Sequence, residues 1–159
     1  MNYKEFKAIF ANLLLLHGYA HVKNMFFRRL GDVFTIVDLQ KSDWQGSYYV
    51  NIGVFVDEGG HLPQPPPIHK AHLQQRLESE FFIPQSARDA IVPALNLEVP
   101  MKAAERSAVI SNALEQYVIP YLNSVSTIEG IADYINPDKG NVAFITLALR
   151  DIIRRRLHR

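Results

Sequence analysis

Apolar positions alternate along residues 25 to 56 and recur at helical spacing on either side of that stretch. Met25–Leu30 (MFFRRL) and Val33–Leu39 (VFTIVDL) read as extended runs joined by the two residues Gly31-Asp32. Glycine at the first of two loop positions suits a type II′ hairpin, because it takes φ > 0 without steric cost. A third run, Tyr48–Val56 (YYVNIGVFV), follows the polar connection Gln40–Ser47. In it Tyr48, Val50, Ile52, Val54 and Val56 share one face, and Tyr49, Asn51, Gly53 and Phe55 share the other. The first face is core. The second is mixed, as a partly covered face would be.

Helical signals flank this meander. Asn2 with Glu5 predicts an N-cap and capping box for a first helix carrying Tyr3, Phe6, Phe10, Leu13 and Leu16 as a core-facing stripe. Gly18 suits the position just past that helix, where Tyr19 can fold back on the last turn. Asp57–Pro67 is a breaker segment, expected to carry the chain over the edge of the sheet. His69–Glu80 fits either a fourth strand or a short helix. Beyond Pro84 the chain reads helical, with Ile110, Leu114, Tyr117 and Tyr121 in a stripe widened by Val118, Leu122 and Val125. Pro120 predicts a kink or an end near Val118. Ser126 with Glu129 predicts a capping box for a short helix bearing Ile128, Ile131 and Ile135. Asn136–Gly140 is a turn by composition, and Asn141 suits the cap of a last helix with Val142, Ile145, Leu149 and Ile152 inward. The expected fold is one α+β domain over residues 1–159. It comprises a mostly antiparallel sheet of three to five strands, with the N-terminal helix and the C-terminal helices on one face.

Bulk composition narrows the chemistry. With 159 residues, 48% hydrophobic and 21% charged, the chain has an ordinary globular make-up. Absence of cysteine excludes thiol nucleophiles, disulfides and thiolate metal sites. Lys4 and Lys7 before Ala8–Leu16 imitate a signal peptide, but Glu5 and Asn12 interrupt the pattern and the helical stripe accounts for it better. No apolar run approaches the roughly 18 residues of a membrane span, so a cytoplasmic location and no membrane partner are expected. Net charge is +1, with five arginines against Asp151 in the last ten residues: a basic tail on a mildly acidic body.

Several features occur together in a familiar order: Gly18-Tyr19, then Phe26-Phe27-Arg28, Leu39-Gln40-Lys41-Ser42, Tyr49–Val54, and His72-Leu73-x-x-Arg76-Leu77. In this the chain resembles the bacterial proteins grouped as domain of unknown function 4304, from about Lys4 to about Tyr134. Such proteins often have a cysteine or an acidic residue where this chain has Ala71, and tryptophans where it has Phe81-Phe82. The resemblance implies a small bacterial α+β protein and carries no activity. It directs attention to Gln40, Lys41, Asn51, His72 and Arg76.

Each candidate has a functional and a structural reading. Gln40, Lys41 and Ser42 close a strand beside the loop that holds Trp44. Lys41 and Ser42 suit an anion or a carbonyl and an exposed Trp44 would anchor an interface, or the polar groups serve the turn and Trp44 covers the sheet. Asn51 and Gly53 interrupt an apolar strand, which fits a small polar pocket or a close approach of backbone. His69 and His72, near Arg76, Glu78 and Glu80, suit acid–base work, but no dedicated metal spacing accompanies them. There is no G-x-S-x-G and no phosphate loop. The terminal arginines suit either phosphate contacts or the negative end of a helix. No metal, cofactor or nucleic acid is therefore expected. The leading expectation is a non-enzymatic module, an immunity or accessory protein for instance, that binds a protein partner through the open sheet face and Trp44. The alternative is a small enzyme or ligand-binding protein with Lys41, Asn51, His72 and Arg76 around one polar pocket. Oligomeric state stays open.

Overall fold

A computed structural model describes residues 1–157. Helix α1 (Tyr3–Leu16) precedes strands β1 (Ala20–Val22), β2 (Met25–Leu30), β3 (Val33–Lys41) and β4 (Tyr48–Val56). Strand β5 (Leu73–Arg76) follows, then helices α2 (Gln85–Ala94), α3 (Ala103–Ala113), α4 (Ile119–Ser124) and α5 (Ile128–Ile135), strand β6 (Phe144–Ile145) and helix α6 (Leu147–Leu157). The class is α+β, with six strands among the described residues rather than three to five, all antiparallel in the order β1-β2-β3-β4-β5-β6.

Both predicted hairpin strands and the third strand form as read. Leu30 pairs with Val33 across Gly31-Asp32, and Gly31 has φ 58°. β1 escaped notice because its turn uses Lys23-Asn24, where Lys23 takes φ 55°. Lysine does not advertise that conformation; helix α1 supports it, since the Lys7 ammonium donates to the Lys23 carbonyl and the Tyr3 hydroxyl to Asn24 Oδ1. His69–Glu80 resolves into a short 3₁₀ turn at Ile68–Lys70 and strand β5.

The Asn2–Glu5 capping box is made. Along α1 the buried side chains are Phe6, Ile9, Phe10 and Leu14; Leu16, assigned inward, is 84% exposed because the stripe has rotated away from the sheet by the last turn. Gly18 has φ 83°, and Tyr19 folds back to be buried.

Pro120 does not end its helix. Between α3 and α4, Leu114–Val118 forms a π-turn in which the Ile119 N–H reaches the Leu114 carbonyl. The wider ring is placed where Pro120 has no N–H to give, so the helical path continues through it. Ser126 is not the cap of α5: its hydroxyl closes the preceding turn by donating to the Asn123 carbonyl, and Thr127 Oγ1 accepts from Gly130 N–H instead. The last helix also starts later than read. Phe144 and Ile145 pair with β5, Thr146 Oγ1 accepts from Leu149 N–H, and Asn141 donates to the Tyr134 carbonyl; Val142 is 50% exposed.

The main core lies between the sheet face of Val37, Val50, Ile52, Val54 and Leu73 and the helices α1 to α6. A smaller cluster of Phe34, Ile36 and Ala71, with Met25, Phe27, Phe55 and Ile68, fills part of the opposite face. The proline segment therefore does more than round the sheet edge: it lays Ile68 and Ala71 onto the second face. Gly53 permits this approach. A β-carbon there would stand 2.5 Å from Ile68 Cδ1 and 3.1 Å from Ala71 Cβ.

Candidate functional site

Register builds the site. On the second face, β-pairing places Met25, Asp38, Asn51 and Arg76 in one row across four strands. The next row, toward the Trp44 loop, holds Gln40 and Tyr49. In the opposite direction lie Phe27, Ile36, Gly53 and Gln74, where Ile68 and Ala71 cover the sheet. The face thus passes from apolar and covered to polar and open.

At that boundary is a cleft of about 430 Å³. Its polar side includes Gln40, Asn51, His69, Gln74 and Arg76, and its apolar side includes Ile68, Phe81 and Phe144. The polar groups form an ordered relay. Arg76 Nε donates to Asn51 Oδ1 at 3.0 Å, and Asn51 Nδ2 donates to Gln40 Oε1 at 3.0 Å. The Arg76 guanidinium lies over the Tyr49 ring, 4.2 Å from its centroid. A charged fork held by one hydrogen bond and one ring is oriented before any ligand arrives. Half-burial pushes the Asp38 carboxyl up in pKa, while its bond to Asn51 pulls it back. Glu78, behind Tyr49, is also pushed up by burial, against the backbone N–H groups and Arg76.

Two of the four residues assigned to a common pocket are elsewhere. Lys41 follows Gln40 and pairs with Tyr48, so its side chain leaves from the other side of β3. His72 is on the same side as Arg76 but precedes β5, four residues and about 13 Å away. Its ring stacks on Phe55 with centroids 4.3 Å apart, and its Nδ1 accepts from the Val56 N–H at 3.0 Å. That bond puts the neutral ring's proton on Nε2; burial lowers the pKa, opposed by Glu58. His69 lines the cleft and His72 a different recess, so the two do not act as a pair.

Trp44 is 91% exposed. Its loop is nevertheless anchored, because Tyr48 N–H donates to the Leu95 carbonyl and Leu97 N–H to the Gly46 carbonyl. Next to Trp44 is a recess of about 240 Å³ whose walls include Tyr49 and Glu78. Tyr49 connects this recess to Arg76 and the cleft.

The basic tail is engaged by the body. Arg155 bonds Glu58 at 2.8 Å and Asp151 at 3.1 Å, and Arg156 pairs with Asp32. Arg159 lies outside the described residues. Sequence reasoning missed Tyr49, which read as an ordinary strand residue, Phe81, which read as part of a short apolar run, and Phe144, which fell within the expected last helix. It also missed Arg106, which is 2% exposed and donates to the carbonyls of Ala94, Asn96 and Val99 at 2.7, 2.9 and 2.7 Å.

A family model for a domain of unknown function, DUF4304, matches residues 10–124. The chain belongs to the DUF4304 family. No curated protein and no solved structure matches it. The matched segment runs from the middle of α1 to the end of α4, so it holds Gln40, Trp44, Asn51 and Arg76, while Phe144 on the cleft's outer wall lies beyond it. Among the described residues no helix is long and apolar enough to cross a membrane.

Proposed function

We propose that this DUF4304 protein is a non-enzymatic recognition module of the bacterial cytoplasm, in an immunity or accessory role. It holds a protein partner against the uncovered part of its second sheet face. The observation that carries this reading is the continuity of the surface: an exposed tryptophan on an anchored loop, then Tyr49 and Arg76, then a cleft rimmed by the 61%-exposed rings of Phe81 and Phe144. Exposed aromatic side chains beside an oriented arginine are the residue types that dominate binding energy at protein interfaces. The cleft itself is of ligand size, which keeps a small-molecule site as the second reading. With Lys41 and His72 elsewhere, His69 lines that site without a second acid–base side chain beside it, which favours binding over catalysis.

The test is affinity capture of the tagged protein from its native lysate, with and without nuclease. A stoichiometric protein partner that survives nuclease is expected. Trp44→Ala should reduce its recovery about ten-fold or more, the effect of losing an interface anchor, while changing stability by less than about 0.5 kcal/mol. Equal recovery by Trp44→Ala and by Phe81→Ser would refute the assignment of this surface.

A further inference from the structure

We infer that the cleft is a carboxylate receptor, taking an acidic side chain of the partner polypeptide with an aromatic or branched apolar residue beside it. This rests on the partner reading above and names the chemistry that would be recognised.

The charge of the cleft is one-sided. Among the described residues that line it, the ionisable groups are His69 and Arg76, with no carboxylate. Asp38 and Glu78, the two acids bonded around its floor, do not line it. Asp38 stands on the same face one strand over and is bonded to Asn51, and Glu78 Oε2 accepts from the Val50 N–H. Arg76 is oriented for the role. Its Nε is used on Asn51 and one face of its guanidinium on Tyr49, whereas its two terminal nitrogens have no hydrogen-bond partner among the described residues. Those nitrogens form the end of the fork that accepts both oxygens of a carboxylate. The relay adds a donor. Because Gln40 Oε1 accepts from Asn51, the Gln40 amide N–H groups are left for a ligand. Gln74 cannot substitute for it, since its amide donates to the carbonyls of His69 and Ala71.

The opposite wall sets what accompanies the acid. Ile68, Phe81 and Phe144 offer apolar surface within the same cleft, and Phe144 stands on β6, the two-residue strand at the sheet edge. An extended segment places successive side chains on opposite sides. An acidic residue and an apolar neighbour can then reach Arg76 and the aromatic wall together.

The probes are N-acetylated, C-amidated Ala-Phe-Glu-Ala, its Gln counterpart, and phenylacetate. Each is titrated into the intact protein while the side-chain amide resonances of Gln40 and Asn51 are followed by NMR. The Glu peptide should bind at least about ten-fold more tightly than the Gln peptide, the effect of a charge-assisted bond. Arg76→Gln should abolish that preference, and Arg76→Lys, lacking the fork, should restore only part of it. Arg76 is exposed, so both variants are expected to fold. Equal binding of the two peptides, no perturbation by either, or an undiminished preference in Arg76→Gln would overturn the inference. Phenylacetate binding as tightly as the Glu peptide would overturn the polypeptide source. Capture of a partner that depends on Trp44 but not on Arg76 would leave the proposed function standing and remove the carboxylate site alone.

Discussion

Gly53→Ala tests how the sheet's second face came to be half covered. The added methyl would lie 2.5 Å from Ile68 Cδ1, 3.1 Å from Ala71 Cβ and 3.4 Å from the Leu73 carbonyl oxygen. Carbon atoms rest at about 3.5–4.0 Å, so Ile68 Cδ1 must retreat by more than about 1 Å. Ile68 is the flexible partner, and a displaced rotamer costs about 0.5–1.5 kcal/mol. Ala71 is less free, being fully buried with its N–H bonded to the Ile68 carbonyl at 3.0 Å. Overpacking of this kind costs about 1–3 kcal/mol, against about 0.5–1 kcal/mol regained by removing glycine from a strand. The net expectation is a loss of about 1–2 kcal/mol by urea denaturation, or about 4 °C in Tm for a chain of this size. A double-mutant cycle isolates the cause. Ile68→Val removes the clashing Cδ1, so it should cost less in the Gly53→Ala background than in the parent, or restore stability outright. Additive effects within about 0.3–0.5 kcal/mol, or a Gly53→Ala protein as stable as the parent, would refute the close-approach argument. Because Ile68 also walls the cleft, Gly53→Ala should alter binding there without touching Arg76.

Arg106→Met leaves the carbonyls of Ala94, Asn96 and Val99 without their shared donor. It should cost about 3 kcal/mol in urea denaturation, and a loss below about 1 kcal/mol would mean that those carbonyls find other partners. Gly130→Ala would drive a β-carbon into the Ser124 carbonyl oxygen, a backbone atom that cannot rotate away. A cost of about 3 kcal/mol is expected, and a Tm unchanged from the parent would show that α5 can shift freely against α4. His72 has a folded pKa below its ordinary value because burial favours the neutral ring. The unfolded chain therefore takes up a proton first as pH falls below about 6.5, and stability drops from there until the folded pKa is passed. Denaturation curves between pH 7 and pH 5 should show this decline, smaller in His72→Gln; an identical slope in the variant would rule His72 out as its source.

Part of the site was legible as sequence because it depends on strand parity. Asn51 and Gly53 break the pattern on one face of β4, and both marked real features: a polar floor and a close approach. Gln40 and Arg76 join Asn51 through register, which hydrophobic alternation and hairpin length specify. Lys41 and His72 lie away from the cleft for the same reason that Gln40 and Arg76 reach Asn51. One residue along a strand changes the face, and four residues change the position by more than a side chain's reach.

By itself the sequence determined the local structure that short-range sterics and periodicity control: the Asn2–Glu5 cap, the Gly31-Asp32 hairpin, the two faces of β4 and the α+β class. Tertiary structure alone decided where the chain had competing local options. Pro120 was absorbed into a π-turn because the helix on both sides of it is buried in the core, and packing outweighed one lost hydrogen bond. Phe144-Ile145 became an edge strand because β5 offered unpaired backbone groups, which a helix starting at Asn141 would have left open. The cleft belongs to this second class. Its floor comes from β3, β4 and β5 and its wall from segments as far along as Phe81 and Phe144, and their meeting follows from the packing of distant elements.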